Sequence, residues 1–525
     1  MSGADDARRL AAEAEAHRVY FEQHDALAAL VRWRLCAALG PPSIETQLAL
    51  AHCEIETGID GDRPPIGIRD PAPASNGRAR AYGELILSSA WQHYNAGDSG
   101  RAAKLLRLVA QIDPHFRSIY ERQILPPPSG ARGLPAPADA TAPLPFERVL
   151  QLSDEAARAL IARHGGRRVL LFMPWWRATP GRWIEGILAR QLRVSLEALG
   201  IAVTIVESYR LDHLEHLALH ERLRGVIADF RPDVIFCADM IVSGATSYAP
   251  LQDGILAVLD AARERGVKLV FSYSDSWYDG MPELFDALSG HADIFHIPFP
   301  GLLRHVGPEL AARVMCYPFP VDDPRPAPVP VTAPHRRAAF VGGITWANLS
   351  RLAWCAEIAC AGLPVDVHLT THSNLRSVEA YTQLLADYAV SVNLVARING
   401  ERIATGRAIE APFVGSLLLE EASDDTAYFL RPYEHYVPFA SFAELSARLR
   451  LLLDDAPLRD RIAAAGTAWV RRHFGALHFW ARLFHSLYER APPPAPPPCR
   501  HFREVTVRYP HSAQTYFELA RPLLP

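Results

Sequence analysis

The stretch "RAAFVGGITWANLSRLAWCAEIACAGLPVDVHLTTH" (337–372) runs from a short apolar segment through a glycine pair into a helix-spaced pattern, and out into a second apolar run. A short apolar run bounded by turn residues reads as a buried strand. A glycine pair after it reads as a tight turn. The helical pattern "NLSRLAWCAEIACAGLP" ends on Gly-Leu-Pro, and "VDVHLTTH" supplies the next strand. Strand, helix and strand in this order make a βαβ unit, which places the two strands parallel in one sheet. Downstream the series continues with a helix at "VEAYTQLLADY", a strand at "VSVNLVA", a short strand at "YVPFAS" and a long helical end from Phe442 to Phe474.

The same alternation occurs upstream. "RRVLLFMP" (167–174) reads as a buried parallel strand, followed by a helical pattern over "RWIEGILARQLRVSLEALG". Further strands at "AVTIVES", "DVIFCADM", "KLVFSYSD" and "ADIFHIPF" alternate with helices. Proline-rich stretches at 126–145, 318–335 and 492–498 separate the blocks, because such segments cannot continue a helix and favour extended spacers. The sequence therefore predicts a helical domain over 1–125, a linker over 126–148 and an α/β domain over 149–320. A second linker spans 321–335, a second α/β domain 336–490, and a proline-rich tail 491–525. Within the helical block, "AWQHYNAGDSGRAAKLLRLVAQIDPHF" (90–116) has the helix, Gly-Asp turn and helix layout of one tetratricopeptide repeat; one repeat does not make a solenoid. The fold expected is two Rossmann-like, doubly wound α/β domains behind an all-helical region. Ligands on such sheets bind outside the carboxyl ends of the strands, so two facing sheets enclose one cleft.

Composition narrows the function. Net charge is -4, which argues against a general nucleic-acid binder. All but two of the 54 basic residues are arginine, the exceptions being Lys104 and Lys268; with the abundant alanine and proline this reads as the bias of a GC-rich bacterial genome. Any phosphate contact in the second α/β domain must then come from arginine, histidine or backbone. The charged, helical start does not read as a signal peptide, and no apolar run has the roughly 18–20 residues of a membrane span, so the expected location is cytoplasmic. The seven cysteines form no C-x-x-C pair and read as buried free thiols.

Four pieces in the second α/β domain, in order, resemble the donor-binding half of GT-B glycosyltransferases, closest to the spore-maturation-type branch of group 1. They are "FVGGITWANLSR" (340–351), "VSVNLV" (390–395), "GRAIEAPFVGSLLLEE" (406–421) and the segment "YEHYVPFASFAELSARLRLLLDDAPLRDRIAAAG" (433–466). The resemblance covers about 150 residues at 338–488, extends to the first α/β domain only as a fold, and does not reach 1–125. It implies a nucleotide-sugar donor, no metal, and a glutamate at Glu410 that accepts from the ribose hydroxyls. A carboxylate can take both hydroxyls at once, and the helix it opens would turn free N–H groups to the diphosphate. Arg407 and Arg351 are the candidate phosphate ligands, since a guanidinium fork suits pyrophosphate oxygens. Gly342 and Gly343 would admit the diphosphate to the backbone, Asn393 would orient the cleft, and Gly415 would let the helix pack close to the sheet.

The sequence departs from the family pattern at one place. Many retaining members carry a second glutamate eight positions before the first, and Arg402 stands there, with Glu401 one out of register. In the first α/β domain, Trp175, Trp176 and Trp183 are candidate acceptor contacts, and Asp275, with Asp279 as its rival, is the candidate general base. The acceptor expected is a protein, glycan or cell-envelope precursor, with the N-terminal helices available to a protein partner. His216 and His220 lack the glutamate of an HExxH zinc site, the pairs Asp322–Asp323 and Asp424–Asp425 do not form a metal-binding DxD, and no G-x-G-x-x-G follows a strand. Two rival readings remain open on sequence: a degenerate transferase scaffold that binds a partner, and a sugar-nucleotide epimerase.

Overall fold

The computed structural model describes residues 3–21, 23, 25–39, 44–59, 77–125, 134–135, 144, 152–173, 176–179, 182–208, 213–238, 249–273, 281–321, 335–344, 350–369, 377–398 and 401–490. The helical region comprises α1 (Gly3–Phe21), α2 (Ala26–Leu39), α3 (Ile44–Thr57), α4 (Gly77–Asn95), α5 (Ser99–Ile112) and α6 (Pro114–Ile119), the last continued by a π turn at Tyr120–Ile124. Helices α4 and α5 form the hairpin expected from the Gly-Asp turn. Asp98 caps α5 by accepting from the Arg101 N–H at 3.0 Å, and Ala102 is fully buried.

The first α/β domain runs through α7 (Asp154–His164), β1 (Arg168–Met173), β2 (Trp176–Thr179), β3 (Arg182–Glu185), α8 (Ile187–Ala198), β4 (Ala202–Glu207), α9 (His213–Phe230), β5 (Val234–Ala238), α10 (Ala249–Glu264), β6 (Lys268–Ser272), α11 (Met281–Leu288), β7 (Ile294–Ile297), a 3₁₀ turn at Pro300–Arg304, α12 (Pro308–Ala311) and β8 (Val314–Cys316). Its sheet is parallel, ordered β4-β1-β5-β6-β7-β8. The continuous burial of β5 and β7 is what a sheet covered on both faces requires. One expectation is corrected: the helix read from Arg182 begins only at Ile187, and Arg182–Glu185 pairs antiparallel with Trp176–Thr179 as a hairpin.

The second domain holds β9 (His335–Gly342), α13 (Ser350–Cys360), β10 (Val365–Leu369), α14 (Val378–Ala386), β11 (Tyr388–Asn393), β12 (Ala396–Ile398), β13 (Glu401–Ile403), α15 (Arg407–Phe413), β14 (Leu417–Glu421), α16 (Asp424–Phe429), β15 (Val437–Phe439), α17 (Phe442–Asp454), α18 (Ala456–His473) and α19 (Ala476–Phe484), which runs into a π turn at His485–Glu489. Strands order as β10-β9-β11-β14-β15, again all parallel. Both sheets start from an inner strand and wind outward both ways. Their order therefore reverses between β1 and β5 in one, and between β9 and β11 in the other. Such reversals are where open α/β sheets leave a crevice for ligands.

Several packings among the described residues join the parts. The helical region shares a core with the second domain, and at its edge Arg107 grips the buried carboxylate of Glu357 through Nε (2.9 Å) and Nη2 (2.7 Å). The chain then returns: α19 packs on α7 and α8 of the first domain, with Trp480 Nε1 donating to Ser195 Oγ at 2.8 Å. Arg304, in the 3₁₀ turn after β7, donates to Asp425 of α16 at 3.0 Å.

Candidate functional site

At the β9/β11 crevice the carboxyl ends of the strands are Gly342 and Asn393. Arg407, the first residue of α15, reaches back between them. Its Nε donates to Asn393 Oδ1 at 3.0 Å, and its guanidinium lies where a side chain on residue 342 would be: a Cβ there would meet Nη1 at 3.0 Å and Cζ at 3.1 Å. Glycine at 342 thus makes room for an arginine, a role the sequence did not suggest.

Glu410 stands one turn on, half-buried, with Oε2 accepting from the Tyr381 hydroxyl of α14 at 2.6 Å. Burial and the neighbouring Glu410 push the Tyr381 phenol well above its ordinary value, so it stays a donor. The expected free amides are scarcer than predicted. The N–H groups of Ala408, Ile409 and Glu410 already donate to Thr405 O (2.9 Å), Gly406 O (3.0 Å) and Gly406 O (2.9 Å). On α15 it is the guanidinium of Arg407, more than these amides, that is available to an anion.

Arg351 is placed elsewhere than expected. It is 3% exposed, donating through Nε to Leu394 O (2.8 Å) and through Nη1 to Gly343 O (3.0 Å). Burial, with the nearby Arg407, brings it down to about 9. It ties together the segments that leave β9 and β11. Gly343 enters this site through its carbonyl. Gly415 is needed for a different reason from the close packing predicted. A Cβ there would meet nothing within 4 Å, but its φ of +94° is left-handed, and the Ser416 N–H returns to Ala411 O at 3.1 Å as a helix-terminating turn. The close approach falls at Gly466 in α18, where a Cβ would lie 2.3 Å from His435 O.

Behind Asn393 lies a group the sequence reading did not single out. Glu420 is fully buried at the end of β14. Its Oε2 accepts from Asn393 Nδ2 at 2.5 Å and its Oε1 from the Thr426 hydroxyl; Asn393 Nδ2 also reaches Thr405 Oγ1 at 3.1 Å. Burial raises the Glu420 carboxyl to about 7 against the opposing pull of these hydrogen bonds and of Arg407. The signal was the pair of glutamates closing an apolar strand, "LLLEE", where a doubly covered sheet leaves little room for charge. Arg402, in the position of the absent glutamate, donates to Ala422 O at 2.8 Å and lies 3.8 Å from buried Glu421.

In the first domain, Asp275, Asp279 and Trp175 lie outside the described residues, while Trp176 and Trp183 fall on the β2–β3 hairpin. At the end of β6, Ser272 and the fully buried His296 are 2.8 Å apart, with His296 Nε2 2.7 Å from Tyr317 O. The carbonyl accepts, so Nε2 carries the proton and Nδ1 takes the Ser272 hydroxyl. Burial lowers the imidazole to about 4 and keeps it neutral. Among the described residues no group of His, Cys, Asp and Glu is arranged to hold a metal ion, and no helix is long and apolar enough to cross a membrane.

A family described as glycosyl transferase-like matches residues 330–485, which contain every residue of this crevice. No curated protein matches the chain. Among solved structures, HepE of Anabaena in complex with UDP and glucose is 11% identical, covers 62% of this chain and 100% of its own, and has a TM-score of 0.42. Sucrose-phosphate synthase of Thermosynechococcus elongatus is 14% identical over 62% of this chain and 100% of its own, with a TM-score of 0.41. UDP-GlcNAc 2-epimerase of Neisseria meningitidis bound to UDP-GlcNAc is 10% identical over the same shares, with a TM-score of 0.34. At such scores these likenesses carry no weight for the site.

Proposed function

We propose that the protein is a glycosyltransferase that takes a sugar from a nucleotide-sugar donor and passes it to an acceptor hydroxyl. The observation that carries this reading is the pairing, inside the glycosyl transferase-like segment, of an arginine and a glutamate one turn apart at the point where the strand order reverses. Arg407 takes the diphosphate with its terminal nitrogens, and Glu410, steadied by Tyr381, takes the ribose hydroxyls. As the bond from the sugar to the diphosphate breaks, charge collects on the leaving oxygens. A guanidinium already aimed there stabilises that charge without rearranging. The first domain holds the acceptor, a protein, glycan or cell-envelope precursor, with Asp275 as the base that receives its hydroxyl proton. Positioning of the two reactants supplies much of the remaining acceleration. The N-terminal helices, fixed to the donor domain through Arg107 and Glu357, are assigned to acceptor recruitment.

Calorimetric titration with UDP, GDP, ADP, CMP and dTDP tests the donor site. One nucleotide binds at micromolar strength, and Glu410→Ala loses about 1.5–3 kcal/mol, the range for hydrogen bonds to a charged group. Folded protein that binds none of the five overturns the reading and leaves a partner-binding scaffold in its place.

A further inference from the structure

Arg407 is useful to a diphosphate only if its terminal nitrogens stay at the end of β9, and side chains of other elements hold it there, Asn393 at the end of β11 and the Tyr381 hydroxyl of α14. Its Nε partner is Asn393 Oδ1. An amide side chain can face either way, because oxygen and NH₂ are nearly the same size. What selects the orientation here is Glu420, both of whose oxygens accept in the fold, Oε1 from the Thr426 hydroxyl and Oε2 from the Asn393 amide. It must draw Nδ2 toward itself, at 2.5 Å, and so leaves Oδ1 for the arginine. The carboxylate is in turn fixed from the far side by the Thr426 hydroxyl on α16. The neighbouring residue of α16, Asp425, is held by Arg304 of the first domain. Glu420 touches no surface and is fully buried. A carboxylate in such a place is expensive unless its hydrogen bonds do something an apolar side chain cannot.

We infer that Glu420 is a positioning residue of the diphosphate site, acting through the Asn393 amide to set where the Arg407 guanidinium points. The inference rests on the donor site proposed above. It separates Glu420 from the groups that touch the nucleotide: the carboxylate should matter for the diphosphate and not for the nucleoside.

The test uses the full chain, the nucleotide of the five that binds the wild type most tightly, and its parent nucleoside. Glu420→Leu should raise the nucleotide Kd about tenfold or more, the loss of one charge-assisted hydrogen bond, with nucleoside affinity unchanged. Glu420→Gln should stay within about threefold of wild type, because its carbonyl still accepts from Asn393 and its NH₂ can donate to Thr426. A folded Glu420→Leu that binds nucleotide like the wild type overturns the inference, and so does an equal loss for nucleotide and nucleoside. Should that variant fail to fold, Thr426→Val keeps the shape and removes one restraint on the carboxylate. Its nucleotide Kd should rise about threefold, and an unchanged value is equally fatal. Wild-type protein that binds no nucleotide removes the donor site itself, an outcome distinct from any of these.

Discussion

Beside Gly342 the fold places the guanidinium of Arg407, where a side chain on residue 342 would stand. The glycine pair was legible in the sequence as a turn after a strand. That the space beside Gly342 belongs to Arg407 was not, because the two are brought together only by the pairing of β9 with β11, to whose end Arg407 is tied through Asn393. Gly342→Ala puts a methyl group 3.0 Å from a guanidinium nitrogen, the movable end of a long side chain. The arginine can shift, so stability should change by less than about 1 kcal/mol. On the proposed donor site nucleotide affinity should fall several-fold, because the fork is displaced from the place assigned there to the diphosphate. Melting curves and nucleotide titration of the same variant check both halves. Arg351 behaves in the opposite way. Its sequence context suggested a phosphate ligand, but the guanidinium is inside, on the carbonyls of Gly343 and Leu394. Arg351→Met takes the donor from the buried carbonyl of Leu394 and the half-buried one of Gly343 and should destabilise by about 1–3 kcal/mol in urea. Sequence could identify the charged residues of this domain but not which of them the fold would bury.

Helices and strands were read more reliably than their ends. Runs such as "VIFCA" and "LLLEE" are buried at every position, and an apolar run of that length between turns has few other uses. The β2–β3 and β12–β13 hairpins escaped because they are short and depend on pairing across a turn. "RWIE" has its two apolar residues side by side, which is too short a pattern to show either a helical or a strand period. The two glycines around α15 and α18 sort by mechanism in the same way. Gly415 ends α15 with a left-handed backbone and open space around it, so Gly415→Ala should cost about 1–2 kcal/mol, the strain of a left-handed non-glycine residue. Gly466 has an ordinary backbone but brings α18 against His435 O, where a Cβ would lie 2.3 Å away from backbone that cannot move alone. Gly466→Ala should cost about 3 kcal/mol, at the upper end for overpacking. Urea denaturation of the two variants gives the order of the costs. If Gly415→Ala proves the more damaging, the close approach of α18 is not what the second domain depends on.

On sequence, proline-rich stretches divide the chain into three blocks, but how the blocks hold each other is not legible there. An apolar helix such as "ALHFWARLF" must be buried somewhere, and its pattern does not say that the other domain buries it. That return has a consequence for pH. Phe479 of α19 lies 5.2 Å from the ring of His296 in the first sheet. His296 is held near 4 by burial; His473 at the end of α18 is likewise held near 4, and His435 near 3, both chiefly by burial. His52 and His478 shift in the same direction. In the unfolded chain these imidazoles take a proton at about 6.5; in the fold His296 and His473 refuse it until about pH 4 and His435 until about pH 3, while His52 and His478 are lowered in the same direction. The unfolded state therefore binds more protons across that window, and stability rises with pH. This contribution is complete above about pH 6.5 and is lost as pH falls toward 4. Glu420 has the opposite sign. Its carboxyl is raised from 4.5 to about 7, so its contribution is present below 4.5 and lost as pH rises to 7. Where the windows overlap, three histidines act against one carboxyl, and the balance favours loss on acidification. One proton of difference changes stability by about 1.4 kcal/mol per pH unit. Urea denaturation at pH 5 and pH 7 should therefore differ by at least about 2 kcal/mol, with the lower value at pH 5. His296→Gln keeps an acceptor for Ser272 and a donor for Tyr317 without a titrating ring, and should flatten the slope by about one proton's worth. A wild-type profile that is level between pH 5 and 7 would mean that water reaches these rings, and that the seam closed by α19 is looser than its packing implies.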